Sequence, residues 1–352
     1  MEKMWYAGSM QKLLTEPGTV LNCNGSPNAG YSTKEVLRYE RKAIQAKPWR
    51  IKEWDFYQIE DVAGTCCLQL TYGHASYVGQ IGVMLFDIAR KRFLVKKSVL
   101  IPFAFGRMKL PESAETDSVI SWHKGGVHVV FETKSGVRNL YMKLGNFETR
   151  LRLEPLIDDA LIIAIPFDES PKQFYYNYKR NCMKCSGVVD FYDGGEKKII
   201  KFGDEADALK SYALLDWGRG VWPFSNEWFW SNGSGTVGGK LFGFNLGCGF
   251  GNTSQATENI VFYENAAHKL GRVAITHEDD WMQPWHLKDD EGRCDLVMMP
   301  QFDRITRDKI LFIDNCTHQV FGMFSGSVTL DDGRVLCVKD IPAFAEHAVN
   351  NW

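Results

Sequence analysis

Along this chain, polar and apolar residues alternate far more often than they recur with a helical period. Thr149 to Leu156, TRLRLEPL, alternates polar and apolar with period two, the pattern of a strand with one buried face. Val127 to Phe131 is a run of β-branched and aromatic residues. Turn signals punctuate such segments. Asp331-Asp332-Gly333 lies between GSVTL and RVLCV and predicts a hairpin, because Asp-Gly accepts the positive φ of a tight turn. Asp193-Gly194-Gly195, between VVDFY and EKKIIKF, reads the same way. GQIGVMLFDIARKRFLVKKSVLI predicts another hairpin that turns near Arg90 to Arg92. Turns this frequent point to an all-β sandwich or barrel.

Helix signals are sparse. Ser32 and Glu35 have the spacing of a capping box ahead of VLRYERKAIQ and predict a helix there. Gly203 to Leu215 stays open: DEADALKS suits a helix, whereas SYALL reads equally well as strand. A boundary is expected near Pro171 to Asn181, where a proline and polar residues precede a fresh strand series. That divides the chain into two barrels, 1–180 and 181–352, and a length of 352 residues favours two units over one core. Glycine-bearing strands in each half, YVGQIGVMLFD and VGGKLFGFNLG, echo one another faintly.

Composition narrows the class. Hydrophobic residues make up 45% and charged residues 24%, as in ordinary globular proteins. Aromatic residues reach 13%, so broad flat surfaces must be buried or must bind something. A net charge of −2 gives no electrostatic footprint for nucleic acid or an anionic membrane. The start, MEKMWYAGSMQKLL, carries Glu2 early and lacks a long apolar core, unlike a secretion signal. The longest apolar run, Ala160 to Pro166, is far short of a membrane span, and a soluble cytoplasmic protein without integral membrane association is expected. Nine cysteines, with Cys66 beside Cys67 and a lone CxxC at Cys182 and Cys185, read as reduced, half-buried thiols; a four-ligand zinc site would need a second pair or nearby histidines.

Candidate chemistry concentrates in DWGRGVWPFSNEWFW, Asp216 to Trp230. Gly218 and Gly220 permit a sharp bend between Asp216, Arg219 and Trp222. On the strand that follows, Trp228 and Trp230 share one face. If that face is a barrel interior, two indoles line a cavity; if not, they fill a core, and Asp216 and Arg219 form a structural ion pair. A second cluster runs from Phe242 to Val273. GCGFGN fails the dinucleotide fingerprint, because Asn252 stands where the third glycine belongs, and it lacks the lysine of a phosphate loop. What remains is Asn245, Glu258, Asn259, His268 and Lys269 on neighbouring strands. A glutamate facing an aromatic cavity has a raised pKa and suits general acid work, and a hydrogen-bonded structural glutamate is the competing reading. The acidic stretch from Thr276 to Leu296, with His277 and His286, matches no metal motif and reads as a solvated loop before a strand. In the first half, PWRIKEWDFYQIED puts Trp54 and Phe56 on one strand face. Near the end, AFAEHAVNNW sets Glu346 beside His347, neighbours that diverge along a strand.

These stretches together resemble domain of unknown function 2804, an uncharacterised and mainly bacterial family. WRIKEWDFY, SYALLDWGRGVWPFSNEWFW, FGFNLGCGFGN, MQPWHLKDDEGRCDL, MMPQFDR, HQVFGMFSG and AFAEHAVNNW carry the likeness in consistent order. The family is similar to a wider group of double-lipocalin proteins, including carotenoid hydratase-like and tocopherol cyclase-like enzymes. The resemblance implies two antiparallel calycin-type β-barrels packed together, with a ligand cavity in a barrel or at their junction. It directs Asp216, Trp217, Trp228 and Trp230 toward that cavity. The relatives often carry a histidine beside the acid, and Leu215-Asp216-Trp217 has none.

The expectation is therefore a protein that binds a bulky apolar small molecule, such as a lipid, isoprenoid or polyene, with no cofactor and no metal. Acid-assisted hydration, cyclisation or isomerisation would use Asp216 or Glu258, with Arg219 tuning the acid or holding a head group. Trp54, Trp217, Trp222, Trp228, Trp230, Asn245 and Asn259 would line the site. The alternatives are a non-catalytic carrier and a packed structural or interaction protein.

Overall fold

A computed structural model describes residues 11–75, 77–104, 106–310 and 313–351, so Met1 to Met10 and the terminal Trp352 lie outside the described residues. The fold is all-β and consists of two antiparallel lipocalin-like barrels. Across the first sheet the principal strands run Arg92–Pro102, Val78–Asp87, Cys66–Ala75, Lys52–Asp61, Ser211–Val221, Ser170–Asp193, Phe147–Pro155, Val137–Leu144, Val127–Lys134 and Ser118–Lys124. Across the second they run Ala266–Lys269, Ile260–Tyr263, Lys240–Cys248, Ser225–Val237, Val335–Asn351, Ile313–Thr329, Cys294–Ile310, Trp285–Asp289 and Val273–Thr276. The chain passes from one sheet to the other between Val221 and Ser225.

The predicted turns form. Gly194 and Gly195, with φ of 59° and 86°, link Asp193 to its partner Glu196. Thr329 faces Val335 across the Asp331-Asp332-Gly333 turn. Asp87 pairs with Arg92 across the turn at residues 88–91. The predicted helix after Ser32 does not form. Gly30–Ser32 and Leu37–Arg38 are short strands, and two 3-10 turns follow, at Arg41–Ala43 and Pro48–Arg50. Glu35 does not complete a capping box: its carboxylate accepts from Ser113 Oγ at 2.6 Å, so tertiary contact overrides the local signal. The open segment becomes strand from Ser211 onward.

Each sheet curls round its own apolar core. Tyr57, Tyr72, Phe131, Leu151 and Trp217 belong to the first, with the Tyr57 and Phe131 rings 5.5 Å apart across the barrel. Phe244, Trp285, Leu296, Phe324 and Ala345 belong to the second. Between the barrels lies a further layer. Trp54, Tyr175, Trp222, Trp228 and Phe250 meet at one end, and Phe56, Trp230, Phe321 and Phe344 at the other.

One irregularity sets which side chains reach that layer. In Ser170–Asp193 the register slips between Arg180 and Met183, where Cys182 has a φ of 58°. The extra residue reverses the alternation. Before it, Tyr176 and Tyr178 face the first core and Lys179 faces the second sheet; after it, Met183 and Cys185 face the core. At the bulge, Asn181 Nδ2 donates to Asn232 Oδ1 at 2.9 Å and Phe244 O at 3.0 Å, tying the sheets together. Cys182 and Cys185 therefore point to different layers, and both are free thiols that burial pushes up to about 12.

Candidate functional site

Two rungs of side chains face each other across the junction. In the first sheet, antiparallel pairing sets Thr71 opposite Phe56, Phe56 opposite Asp216, and Asp216 opposite Lys179. In the second, it sets Arg304 opposite Gln319, Gln319 opposite Glu346, and Glu346 opposite Trp230. Between the rungs is a cavity of about 330 Å³, lined by residues of both sheets.

Its aromatic wall has edge-to-face geometry. Ring centroids lie 5.4 Å apart for Trp54 and Trp222, 4.9 Å for Tyr175 and Phe250, and 5.2 Å for Trp228 and Phe250. Trp54 occupies its place because Gly218, its partner on the next strand, has no side chain: a Cβ there would stand 2.2 Å from Trp54 Cζ2. That accounts for one glycine of the DWGRG stretch.

The charged groups form two sets. Lys179 Nζ lies 3.3 Å from Asp216 Oδ1 and 3.5 Å from Glu258 Oε2, and sits 4.1 Å over the Trp230 ring. Asp216 also accepts from Asn177 Nδ2 at 2.5 Å. Glu258 comes from the loop ahead of Ile260–Tyr263, and burial raises its pKa against the pull of Lys179. In the second set, Glu346 accepts from Trp228 Nε1 at 3.2 Å and Gln319 Nε2 at 3.1 Å. Burial raises the Glu346 pKa as well, opposed by Arg304. The cavity thus holds Asp216, Glu258 and Glu346 against two cations, Lys179 and Arg304. The acids outnumber the cations by one, and burial raises the pKa of both Glu258 and Glu346.

Of the residues singled out from sequence, Trp54, Asp216, Trp222, Trp228, Trp230 and Glu258 converge on this cavity. The Trp228–Trp230 face is not a barrel interior: it looks outward from the second barrel onto the first, and the cavity lies between the barrels. Arg219 and Trp217 lie elsewhere. Odd-numbered residues of Ser211–Val221 face the first core, so Arg219 lies 2.9 Å from Asp55 and 3.7 Å over the Trp217 ring, on the opposite side of the strand from Asp216. The expected Asp216–Arg219 pairing is corrected on that ground. Asn245 stands behind the wall, accepting from Trp230 Nε1 at 2.7 Å and donating to Glu258 O at 2.6 Å. Asn259 points away, bonding the Gly247 N–H and Gly271 O.

Sequence reasoning passed over Lys179, Arg304, Gln319, Tyr175 and Phe250. Lys179 carried one usable signal, a lysine in alternation with Tyr175 and Asn177. Glu346 and His347 diverge as expected: His347 Nε2 meets Glu227 Oε1 at 2.7 Å, and its ring stacks on Phe229 at 4.2 Å. In the acidic stretch, His277 stacks on Trp285 at 4.3 Å and Trp281 on His318 at 3.9 Å. Among the described residues no group of three or more His, Cys, Asp or Glu side chains is placed to hold a metal ion. No helix among them is long and apolar enough to cross a membrane.

A family model described as Domain of unknown function (DUF2804) matches residues 11–352. No curated protein matches the sequence. Among solved structures, CghA with Sch210972 superposes with a TM-score of 0.54 at 9% identity, covering 97% of each chain. A putative ATTH (NE1406) from Nitrosomonas europaea gives 0.52 at 13% identity, covering 91% of this chain and 98% of that one. At such identities the likeness establishes the shared fold.

Proposed function

The chain belongs to the DUF2804 family, and on that footing we propose that it is a cytoplasmic protein that takes up a bulky apolar small molecule between its barrels and acts on it by acid-assisted hydration, cyclisation or isomerisation. The observation that carries this reading is the Lys179 ammonium held between Asp216 and Glu258 at the edge of an aromatic wall. Glu258 is the proton donor. Burial pushes its carboxyl above the ordinary carboxylate range against the pull of Lys179, while Asp216 and Lys179 fix its direction. The faces of Trp228, Trp230 and Phe250 stabilise the positive charge that protonation of a double bond develops. The fold supports a small-molecule ligand, since the CghA structure holds Sch210972. The nine free thiols suit a reducing compartment.

A carrier is the second reading. It is favoured by the fact that both acids of the first set already share an ion-pair partner in Lys179.

Native mass spectrometry of the protein from its own host, with extraction of the passenger, tests the uptake. A stoichiometric apolar molecule, lost in Trp228→Ala, is the expected result; an empty protein that refuses lipids and polyenes overturns it. Glu258→Gln then separates the two readings. An enzyme keeps the passenger and stops converting it, whereas a carrier behaves as before.

A further inference from the structure

The aromatic wall and the Lys179 set account for only part of the cavity. Its remaining side is polar and belongs to the second sheet. Arg304 is almost fully buried there, at 7% exposure, and the Thr306–Thr317 pair forms the next rung on the same face, with Asn350 beyond. The guanidinium is aimed by two bonds: Nε donates to Gln319 Oε1 at 3.0 Å, and Nη1 donates to Thr306 Oγ1 at 2.7 Å. Nη1 also touches Met84 Sδ at 3.7 Å.

Among the described residues Nη2 donates no hydrogen bond and makes only a long ion pair. The carboxylate nearest in register, Glu346, keeps Oε2 3.9 Å away, and its two oxygens are already engaged by Trp228 and Gln319. Gln319 is in turn held by Gln69 Nε2, which donates to its Oε1 at 2.7 Å, so the rung is fixed from both sheets. The carboxylate paired with this buried guanidinium is therefore held at long range, and a second anion seated directly on Nη2 would complete it at lower cost. Its planar fork fits an oxyanion with two equivalent oxygens. Burial also lowers the Arg304 pKa, the strain that a bound anion would relieve.

We propose that Arg304 anchors a carboxylate carried by the ligand, with Thr306, Thr317 and Asn350 lining the head-group end and the apolar skeleton running toward Trp228, Trp230 and Glu258. This rests on the reading that the cavity takes an apolar small molecule, and it adds the ligand's class, an apolar carboxylic acid, and its direction in the cavity. Arg304 is a binding residue that selects and orients; the proton donor stands across the cavity.

All-trans-retinoic acid, its methyl ester and retinol share one polyene and differ in the head group. The full chain is titrated with each at pH 8, read by quenching of tryptophan fluorescence. The acid is expected to bind at least about tenfold tighter than the ester or the alcohol, the range for a hydrogen bond to a charged group. Arg304→Gln should remove that preference, whereas Arg304→Lys should keep part of it. Equal binding of all three by the native protein, or a preference that survives Arg304→Gln, overturns the anchor and leaves the cavity reading intact. If none of the three binds, both fall together. The native series decides by itself should Arg304→Gln fail to fold.

Discussion

Asp216 and Arg219 stand on opposite sides of one strand, although only two residues separate them: Asp216 lies 3.3 Å from Lys179 in the junction, and Arg219 lies 2.9 Å from Asp55 in the first barrel's core. The two charges therefore answer to different tests. Arg219→Met strands Asp55 as an unpaired buried acid and should cost about 3–5 kcal/mol. Urea unfolding measures the loss. Ligand titration of the fraction that remains folded should give native affinity.

Lys179→Met removes the cation from between Asp216 and Glu258. The Asp216 carboxylate then acts on Glu258 without the opposing cation, so the Glu258 proton is held to higher pH. A group whose folded pKa is raised loses stability as pH climbs past its unfolded value. The gap in melting temperature between the native protein and Lys179→Met should therefore widen from pH 5 to pH 9. A constant gap would mean that Lys179 acts through packing alone.

Gly218→Ala places a methyl group 2.2 Å from Trp54 Cζ2 and should displace the indole from the cavity wall. A loss of about 1–3 kcal/mol is expected, as for overpacking elsewhere. Ligand affinity should fall with it. In the double variant with Trp54→Ala the collision disappears, so the two stability losses should sum to more than the double variant shows.

Glu60 is pushed up to about 8, first by burial and then by Asp61 beside it. Below pH 4.5, near its ordinary value, the group is protonated in both folded and unfolded chains and contributes nothing. Between there and pH 8 only the unfolded chain releases the proton, so stability declines through that window and levels off above it. Glu60→Gln should remove this part of the decline and gain about 1–3 kcal/mol relative to the native protein on going from pH 5 to pH 9. Denaturant midpoints at the two pH values check it.

The strands, the hairpins and the shared face of Trp228 and Trp230 were legible because period and turn chemistry are local. The destination of that face was not. Whether an alternating strand shows its indoles to its own barrel or to a neighbour depends on what packs behind it, and Phe229 and Ser231 suit either side. The Ser32–Glu35 signal failed for a related reason: Ser113, far along the chain, takes the carboxylate the cap would have used. Lys179 and Arg304 were passed over because each acquires its meaning from pairing. Lys179 stands opposite Asp216 only once two distant strands are in register. In Ser170–Asp193 the bulge at Cys182 also breaks any single reading of inside and outside.

Because one rung of the cavity belongs to each sheet, neither barrel encloses the cavity by itself. A molecule in the cavity touches both, and whatever free energy it gains there also resists the barrels coming apart. Cohesion between the halves and affinity for the guest are then a single quantity measured from two sides: weakening the Asn181–Asn232 tie loosens the grip, and filling the cavity repairs the tie. On the proposed reading, the guest is a removable part of the protein's own interior.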